Sequence, residues 1–221
     1  MLLLFIKKMI IINFKNYVHS EKALKLAQKI EKHLPKAVVA VSAVDIGYLE
    51  YYTKLNIYAQ HVDLSSEKRA TGFLTIEAVK SQGAGGTLLN HSEHPINLGE
   101  INLMVGNLKK AQLKAIVCVP SLEFARGLLK LKNKPYAIAF EDPDLIATGK
   151  SVTSYKSNDL KKFVKLMEGT GILPICGAGV SSLGDVVSAR EIGCKGVLIS
   201  SAIADTKNPE KILRDLEGIK F

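Results

Sequence analysis

The chain has 221 residues, 47% of them hydrophobic and 23% charged, which is an ordinary composition for a globular protein with a sizeable core. Its net charge of +9 would suit a nucleic acid, an anionic surface or an anionic small substrate. The lysines are spread along amphipathic helical stretches with few aromatic residues nearby, however, and this pattern argues against nucleic-acid binding. Three scattered cysteines without a CxxC pair argue against a disulfide framework and favour a reducing, cytoplasmic location.

The N-terminal segment is apolar but predicts neither export nor a membrane span. Its first apolar run is interrupted by Lys7 and Lys8, and no run in the chain approaches the roughly 18 residues of a transmembrane helix. Met9 opens the run MIIIN, which is typical of a buried strand. Residues 1–8 are therefore expected to be an extension that lies ahead of the fold, with Met9 a possible alternative start.

Short runs rich in Val, Ile and Leu recur along the chain and do not alternate cleanly with polar residues. Runs of this kind are typical of parallel strands that are covered on both faces. Eight are present, at 9–13, 37–42, 56–60, 86–90, 115–119, 136–140, 172–176 and 196–200.

Amphipathic helical patterns separate the strands, so the chain alternates strand and helix throughout. The first helix follows Ser20, a favourable N-cap residue, and a later one runs from Ser182 to Gly193, which would cap its C-terminus. Eight strand–helix units predict an α/β fold of the (β/α)₈ barrel type, formed by residues 1–221 as a single domain. A doubly wound open sheet is the alternative, but the glycine cluster at 83–86 precedes a strand and does not fit the dinucleotide-binding fingerprint.

In a (β/α)₈ barrel the active site forms at the C-terminal ends of the strands. Polar and small residues follow the strands at this rim: Asn13, Lys15, Gln60, His61, Asn90, His91, Ser92, Glu93, Glu141, Gly177, Ala178, Gly179, Ser200 and Ser201. We expect these side chains to converge on one site.

Glu141 directly follows the apolar run of the sixth strand. Burial at the mouth of an apolar pocket disfavours the charged form of a carboxylate, which makes it a better general base. The alternative is an exposed loop acid that caps a turn.

His91 is followed by Ser-Glu-His-Pro, and Pro95 suits the first turn of a helix. A helix N-terminus directed at the imidazole would keep it neutral and able to relay a proton. A structural histidine is one alternative. A metal site is another, with His61, Asp63, His91, Glu93 and His94 as ligands, although no recognised ligand spacing supports it.

Asn13 and Lys15 are two residues apart, so both would project to the same side of an extended segment. Lys15 could balance an anionic substrate, or it could be a surface lysine.

Small residues follow strands seven and eight, where barrels commonly bind phosphate through backbone N–H groups. The alternative is that these small residues only allow tight turns.

Taken in chain order, these motifs resemble those of the triosephosphate isomerase family in its shortened, archaeal form. The matching segments are NFK at 13–15, LLNHSEH at 88–94, AFEDPDLIATGKSV at 139–152, CGAGVS at 176–181 and LISSA at 198–202. They cover nearly the whole chain.

The resemblance implies an enzyme that interconverts glyceraldehyde 3-phosphate and dihydroxyacetone phosphate. Glu141 would be the base, neutral His91 would polarise the carbonyl, and Lys15 with Asn13 would stabilise the enediolate. The remaining implied roles are support by Ser92 and Glu93, with Glu93 close to Lys15, and substrate binding by Ile146, Ala147, Gly177, Ala178, Gly179, Ser200 and Ser201. Residues 142–149 would form a lid that excludes water.

Two residues depart from the family pattern in the lid. Asp142 replaces the proline that usually follows the glutamate, with Pro143 next, and Ala147 replaces a glycine whose N–H would contact the phosphate.

Peripheral segments near 43–54 and 120–133 are short, which implies exposed apolar surface and therefore a homo-oligomer. A homotetramer is expected in preference to a homodimer. No cofactor or metal is expected, because a base, an acid and a cation suffice for proton transfer beside a carbonyl. The alternatives are a barrel acting on a larger sugar phosphate and a non-catalytic basic scaffold.

Overall fold

A computed structural model describes residues 9–65, 69–141 and 152–219 of the chain. Its eight parallel strands form a closed barrel in the order of the sequence, with β1 paired to both β2 and β8. The strands are β1 (Met9–Asn13), β2 (Val38–Val41), β3 (Asn56–Ala59), β4 (Gly86–Leu89), β5 (Lys114–Val119), β6 (Ala137–Phe140), β7 (Leu173–Cys176) and β8 (Gly196–Ile199). The structure thus confirms the (β/α)₈ barrel and excludes the open sheet.

Helices follow the strands and cover the outside of the barrel. They are α1 (Ser20–His33), α2 (Ile46–Tyr52), α3 (Ile76–Ser81), α4 (Leu98–Lys110), α5 (Leu122–Lys130), α6 (Val152–Tyr155), α7 (Ser157–Met167), α8 (Leu183–Ile192), α9 (Ser201–Ala204) and α10 (Pro209–Leu216), with a 3₁₀ turn at Ala43–Asp45. None of the helices in the described part of the chain has the length and apolar character needed to span a bilayer.

Alternate residues of each strand belong to two separate apolar clusters. Ile12 and Val39 pack with residues of the surrounding helices. Ile11 and Ala40 belong to a cluster formed by strand residues and their immediate neighbours, which is the barrel interior. Because both faces of every strand are buried, the strands appear in the sequence as continuous apolar runs.

The ends of two helices show which capping predictions were correct. Gly193 ends α8 with a φ of 109°, as predicted. Ser182, where the helix was expected to begin, is its N-cap, because the Asp185 N–H donates to the Ser182 side chain. The Ser20 prediction was wrong, because α1 already begins at Ser20. The Ser20 backbone N–H donates instead to Oδ1 of the buried Asp45, at 2.8 Å.

Pro95 was also placed incorrectly by the sequence. Helix α4 begins at Leu98, where Asn97 and Glu100 form a reciprocal capping box, so Pro95 lies in the loop before the helix. The helix N-terminus is therefore not the group that contacts His91. The predicted extension at 1–8 and the predicted lid at 142–149 lie outside the described residues, so both stay predictions.

Candidate active site

A cavity of about 220 Å³ lies at the C-terminal end of the barrel strands. It brings together residues at or just after the C-terminal ends of β1, β4, β6, β7 and β8, which are far apart in the sequence. Its lining consists of Asn13, Lys15, Tyr17, His91, Glu141, Ala178, Gly179, Val180, Ser181, Leu198, Ser200, Ser201 and Asp205. Eight of the residues singled out from the sequence therefore meet at one cavity.

Asn13 and Lys15 reach the cavity by a different backbone path from the one predicted. Strand β1 ends at Asn13, and Lys15 has a φ of 44°, which is left-handed and not extended. The Asn13 side-chain oxygen accepts a hydrogen bond from the Lys15 backbone N–H at 3.0 Å. A local turn, and not strand alternation, directs both side chains into the site.

Lys15 forms an ion pair with Glu93 across the rim. Its Nζ lies 2.6 Å from Glu93 Oε1, and the lysine side chain is 12% exposed whereas that of Glu93 is 57% exposed. The closeness of Glu93 to Lys15, which the resemblance implied, is therefore present in the structure. The ion pair holds the ammonium group at the cavity.

The contacts of His91 indicate which of its ring nitrogens carries the proton. The Glu93 backbone N–H donates to Nδ1 at 3.2 Å. Because Nδ1 must carry a lone pair to accept this bond, the proton resides on Nε2. Glu93 Oε2 is 3.7 Å from Nδ1, too far for a hydrogen bond that would favour the opposite arrangement. Thus the turn after β4 directs the Nε2–H donor toward the cavity.

Glu141 is buried and lines the same cavity as Lys15. Its backbone N–H donates to Val119 O at 3.0 Å, which continues the pairing of β5 with β6. The carboxylate is 3.7 Å from His91 Nε2, and its buried Oε2 accepts no hydrogen bond from the described residues. The described residues therefore leave this oxygen available for contact with a bound molecule.

Cys118 lies beside Glu141 in the barrel interior. Burial raises the pKa of the Cys118 thiol well above its usual range, and the Glu141 carboxyl adds to this effect through its charge and a hydrogen bond. The thiol therefore stays protonated beside the carboxylate.

The small residues after β7 and β8 form the remaining wall. Ala178 and Gly179 line the cavity with Ser200 and Ser201, and Gly179 has a φ of 71°. Gly177 does not line it. A Cβ at that position would lie 3.0 Å from Cγ of Glu141, so Gly177 instead makes room for the carboxylate side chain.

Ser92 was expected at the site but lines a neighbouring cavity of about 260 Å³, which it shares with Cys118 and Glu141. Ile146 and Ala147 lie outside the described residues, so their predicted roles in binding stay predictions.

Several lining residues were missed by sequence reasoning, among them Tyr17, Ser181 and Asp205. Tyr17 lies two residues after Lys15. Its position at the cavity depends on the left-handed turn at Lys15, which the sequence did not predict. Asp205 follows the short helix α9, four residues beyond Ser201, so helical spacing after β8 could have identified it.

The metal alternative gains no support from the described residues. No three or more His, Cys, Asp and Glu side chains among them are grouped to hold a metal ion. The rings of His61 and His94 are stacked, with centroids 3.7 Å apart, and His61 Nε2 is 3.4 Å from Asp63 Oδ1.

Comparisons with known proteins point to one family. The family model described as Triosephosphate isomerase matches residues 8–216. A triosephosphate isomerase of Saccharolobus solfataricus is 38% identical over 93% of this chain and 93% of its own length. One from Methanocaldococcus jannaschii is 32% identical over 96% of this chain and 99% of its own.

A solved structure supports the fold independently. The crystal structure of triosephosphate isomerase from Bartonella henselae matches with a TM-score of 0.67 at 17% identity, and the match covers 90% of this chain and 95% of that one. At that identity the match concerns the fold alone. The family model and the sequence relatives establish the relationship: the chain belongs to the triosephosphate isomerase family.

Proposed function

We propose that the protein interconverts D-glyceraldehyde 3-phosphate and dihydroxyacetone phosphate through an enediolate intermediate. The observation that carries this proposal is the placement of Glu141 and His91 on one cavity, 3.7 Å apart, with the Lys15 ammonium group at the same rim. Proton transfer beside a carbonyl needs a base, a hydrogen-bond donor to the oxygen and a cation, and these three side chains supply them.

The reaction requires two proton transfers at carbon and one between oxygens. Glu141 removes the proton from C2 of the aldose, and the electron pair moves to the C1 oxygen. His91 Nε2–H donates to that oxygen and relays a proton between the two oxygens, while Lys15 and Asn13 stabilise the enediolate. Glu141 then returns the proton to C1, which gives the ketose with no net gain or loss of atoms.

The phosphate is proposed to bind at the wall formed by Gly179, Ser200 and Ser201. Small residues there let backbone N–H groups approach an anion closely. Ile146 and Ala147 would complete this contact from the lid at 142–149, which would close over the intermediate.

Assembly into a homotetramer, or else a homodimer, is proposed on the basis of exposed apolar surface. Helix α2 has only seven residues; Tyr51 within it is 79% exposed, and Val44 in the 3₁₀ turn before it is 80% exposed. Exposed apolar patches of this kind mark association surfaces. Light scattering at micromolar concentration tests this, and a monomer would contradict it.

A cytoplasmic location is also proposed. All three cysteines are free and buried, at Cys118, Cys176 and Cys194, as is usual for proteins kept in a reducing compartment.

The experiment that tests the function is a coupled assay of triose phosphate interconversion on three proteins. These are the parent, Glu141→Gln and the control Glu123→Gln, which alters an exposed acid on α5. We expect Glu141→Gln to fold normally and to lose at least about a hundredfold in kcat, and the control to keep its activity. A folded parent without activity would refute the proposal.

A further inference from the structure

We propose that Gln60 is a positioning residue that holds Asn13 and Lys15 in their active arrangement. Gln60 immediately follows β3 and is half-buried, and it does not line the cavity. The inference rests on the proposed function insofar as it assigns Asn13 and Lys15 to the reaction.

The side-chain amide of Gln60 links the ends of three neighbouring strands. Its Nε2 donates to Lys15 O at 2.9 Å, and lies 3.3 Å from Asn13 Oδ1 and 3.4 Å from Ala40 O. The bond to Lys15 O is the shortest, so the backbone of the lysine is the main partner. A single amide group thus connects β3 to the turn after β1.

Lys15 needs such a restraint because of its backbone conformation. Its φ of 44° lies in the left-handed region, which residues with a Cβ rarely adopt. Such a conformation persists only where surrounding contacts impose it. The Lys15 N–H donates to Asn13 Oδ1 and the Lys15 carbonyl accepts from Gln60, so its N–H and its carbonyl are both held.

Asn13 is held from both sides in the same network. Its side-chain oxygen receives the Lys15 N–H and faces Gln60 Nε2, while its carbonyl accepts a hydrogen bond from Ser200 Oγ at 2.9 Å. This fixed turn determines where the Lys15 side chain begins. The far end is held by Glu93 at 2.6 Å, so Gln60 fixes one end of the lysine and Glu93 fixes the other.

Glutamine suits this position because all three atoms that face its Nε2 are oxygens. An amide supplies two N–H donors to them, whereas a carboxylate would present only acceptors and would repel them. Methionine has a similar length and no donor. Gln60→Met therefore removes the hydrogen bonds with little change in volume, and Gln60→Glu replaces attraction with repulsion.

The test compares Gln60→Met and Gln60→Glu with Asn133→Ala. Asn133 is a matched control because its side-chain amide also donates to a backbone carbonyl, Asn102 O at 2.8 Å, but lies outside the site. We expect kcat/KM to fall between about tenfold and a hundredfold in Gln60→Met, and further in Gln60→Glu, the size of loss that a misplaced catalytic group causes. Asn133→Ala should change kcat/KM less than twofold.

A double variant distinguishes positioning from general damage. Lys15→Met removes one of the two side chains through which Gln60 acts, so adding Gln60→Met to it should lower kcat/KM by a clearly smaller factor than Gln60→Met does in the parent, the remainder acting through Asn13. Fully multiplicative losses would show that Gln60 acts elsewhere and would overturn the inference. Equal unfolding midpoints of parent and Gln60→Met would confirm that the barrel is intact.

Crystallography of Gln60→Met separates this inference from the proposed function. Lys15 is expected to leave the left-handed region, or its Nζ to move more than about 1 Å, a displacement large enough to matter for catalysis. An unchanged Lys15 and Asn13 would overturn the positioning role whatever the activity. An inactive parent with a displaced Lys15 would instead refute the function and leave the positioning role supported.

Discussion

His91 Nε2 lies 3.7 Å from Glu141 Oε2, and each of the two side chains is 8% exposed. This separation is longer than a hydrogen bond, so the donor and the acceptor do not satisfy each other. Each is therefore available to a molecule that binds between them and Lys15. His91 follows β4 and Glu141 follows β6, and β5, which pairs with both strands, lies between them in the closed barrel.

Replacing His91 with Asn is expected to lower kcat by about a hundredfold, because the Nε2–H donor can no longer reach the substrate oxygen. The coupled assay measures this loss. His33→Asn is the matched control, since the His33 side chain is also 8% exposed but contacts Glu217, at the C-terminal ends of α1 and α10. A similar loss of activity in both variants would indicate damage to the fold and would contradict the role of His91.

The ion pair between Lys15 and Glu93 leads to a graded prediction. Lys15→Met removes the cation and should lower kcat/KM by at least about a hundredfold, because electrostatic stabilisation of the enediolate is lost. Glu93→Gln keeps the cation and the backbone N–H that holds His91, and we expect a loss of about tenfold or less. Lys25→Met, on an exposed pair with Glu21, should have no effect. A larger loss in Glu93→Gln than in Lys15→Met would contradict this order.

The strands and the members of the site were predictable from local sequence. Parallel strands buried on both faces give apolar runs, so β1 to β8 start within two residues of their predicted positions. Polar residues directly after those runs, such as Asn13, His91 and Glu141, then had to lie at one end of a closed barrel.

The backbone geometry within the site was not predictable in this way. The left-handed turn at Lys15 is stabilised by Gln60, which is 45 residues away in the sequence. The donor to His91 is a loop N–H instead of the α4 terminus, because the capping box at Asn97 starts that helix later than Pro95 suggested. Gly177 looked like a ligand-binding glycine, but its lack of a Cβ serves the side chain of Glu141. These features depend on contacts between distant segments.

Two glycines allow backbone strain to be separated from steric overlap. Gly169 has a φ of 73°, and a Cβ added there would lie in open space. Gly193 has a φ of 109°, and a Cβ added there would lie 3.0 Å from Val164 Cγ1. We expect Gly169→Ala to lower the free energy of unfolding by about 1 kcal/mol. Gly193→Ala should lower it further, because the C-cap of α8 is strained and Val164 must also move. Denaturant titration measures both, and an equal or smaller loss in Gly193→Ala would contradict the added steric cost.

The stacked pair of His61 and His94 predicts a stability that falls in acid. Burial lowers the pKa of His61 below its ordinary value, and the nearby His94 lowers it further, while Asp63 opposes the shift. The unfolded chain, in which His61 titrates near about 6.5, therefore binds more protons than the folded chain below that pH. The contribution of His61 to stability is fully present above this pH and is lost as the pH falls below it.

His61→Gln removes this pH-dependent contribution. The free energy of unfolding of the variant should therefore fall less than that of the parent between pH 7 and pH 5. His94→Gln removes only the second cause of the lowered pKa of His61, so its loss of stability should lie between those of the parent and His61→Gln. Equal pH dependence in the parent and His61→Gln, measured by denaturant titration at constant ionic strength, would show that His61 does not carry the effect.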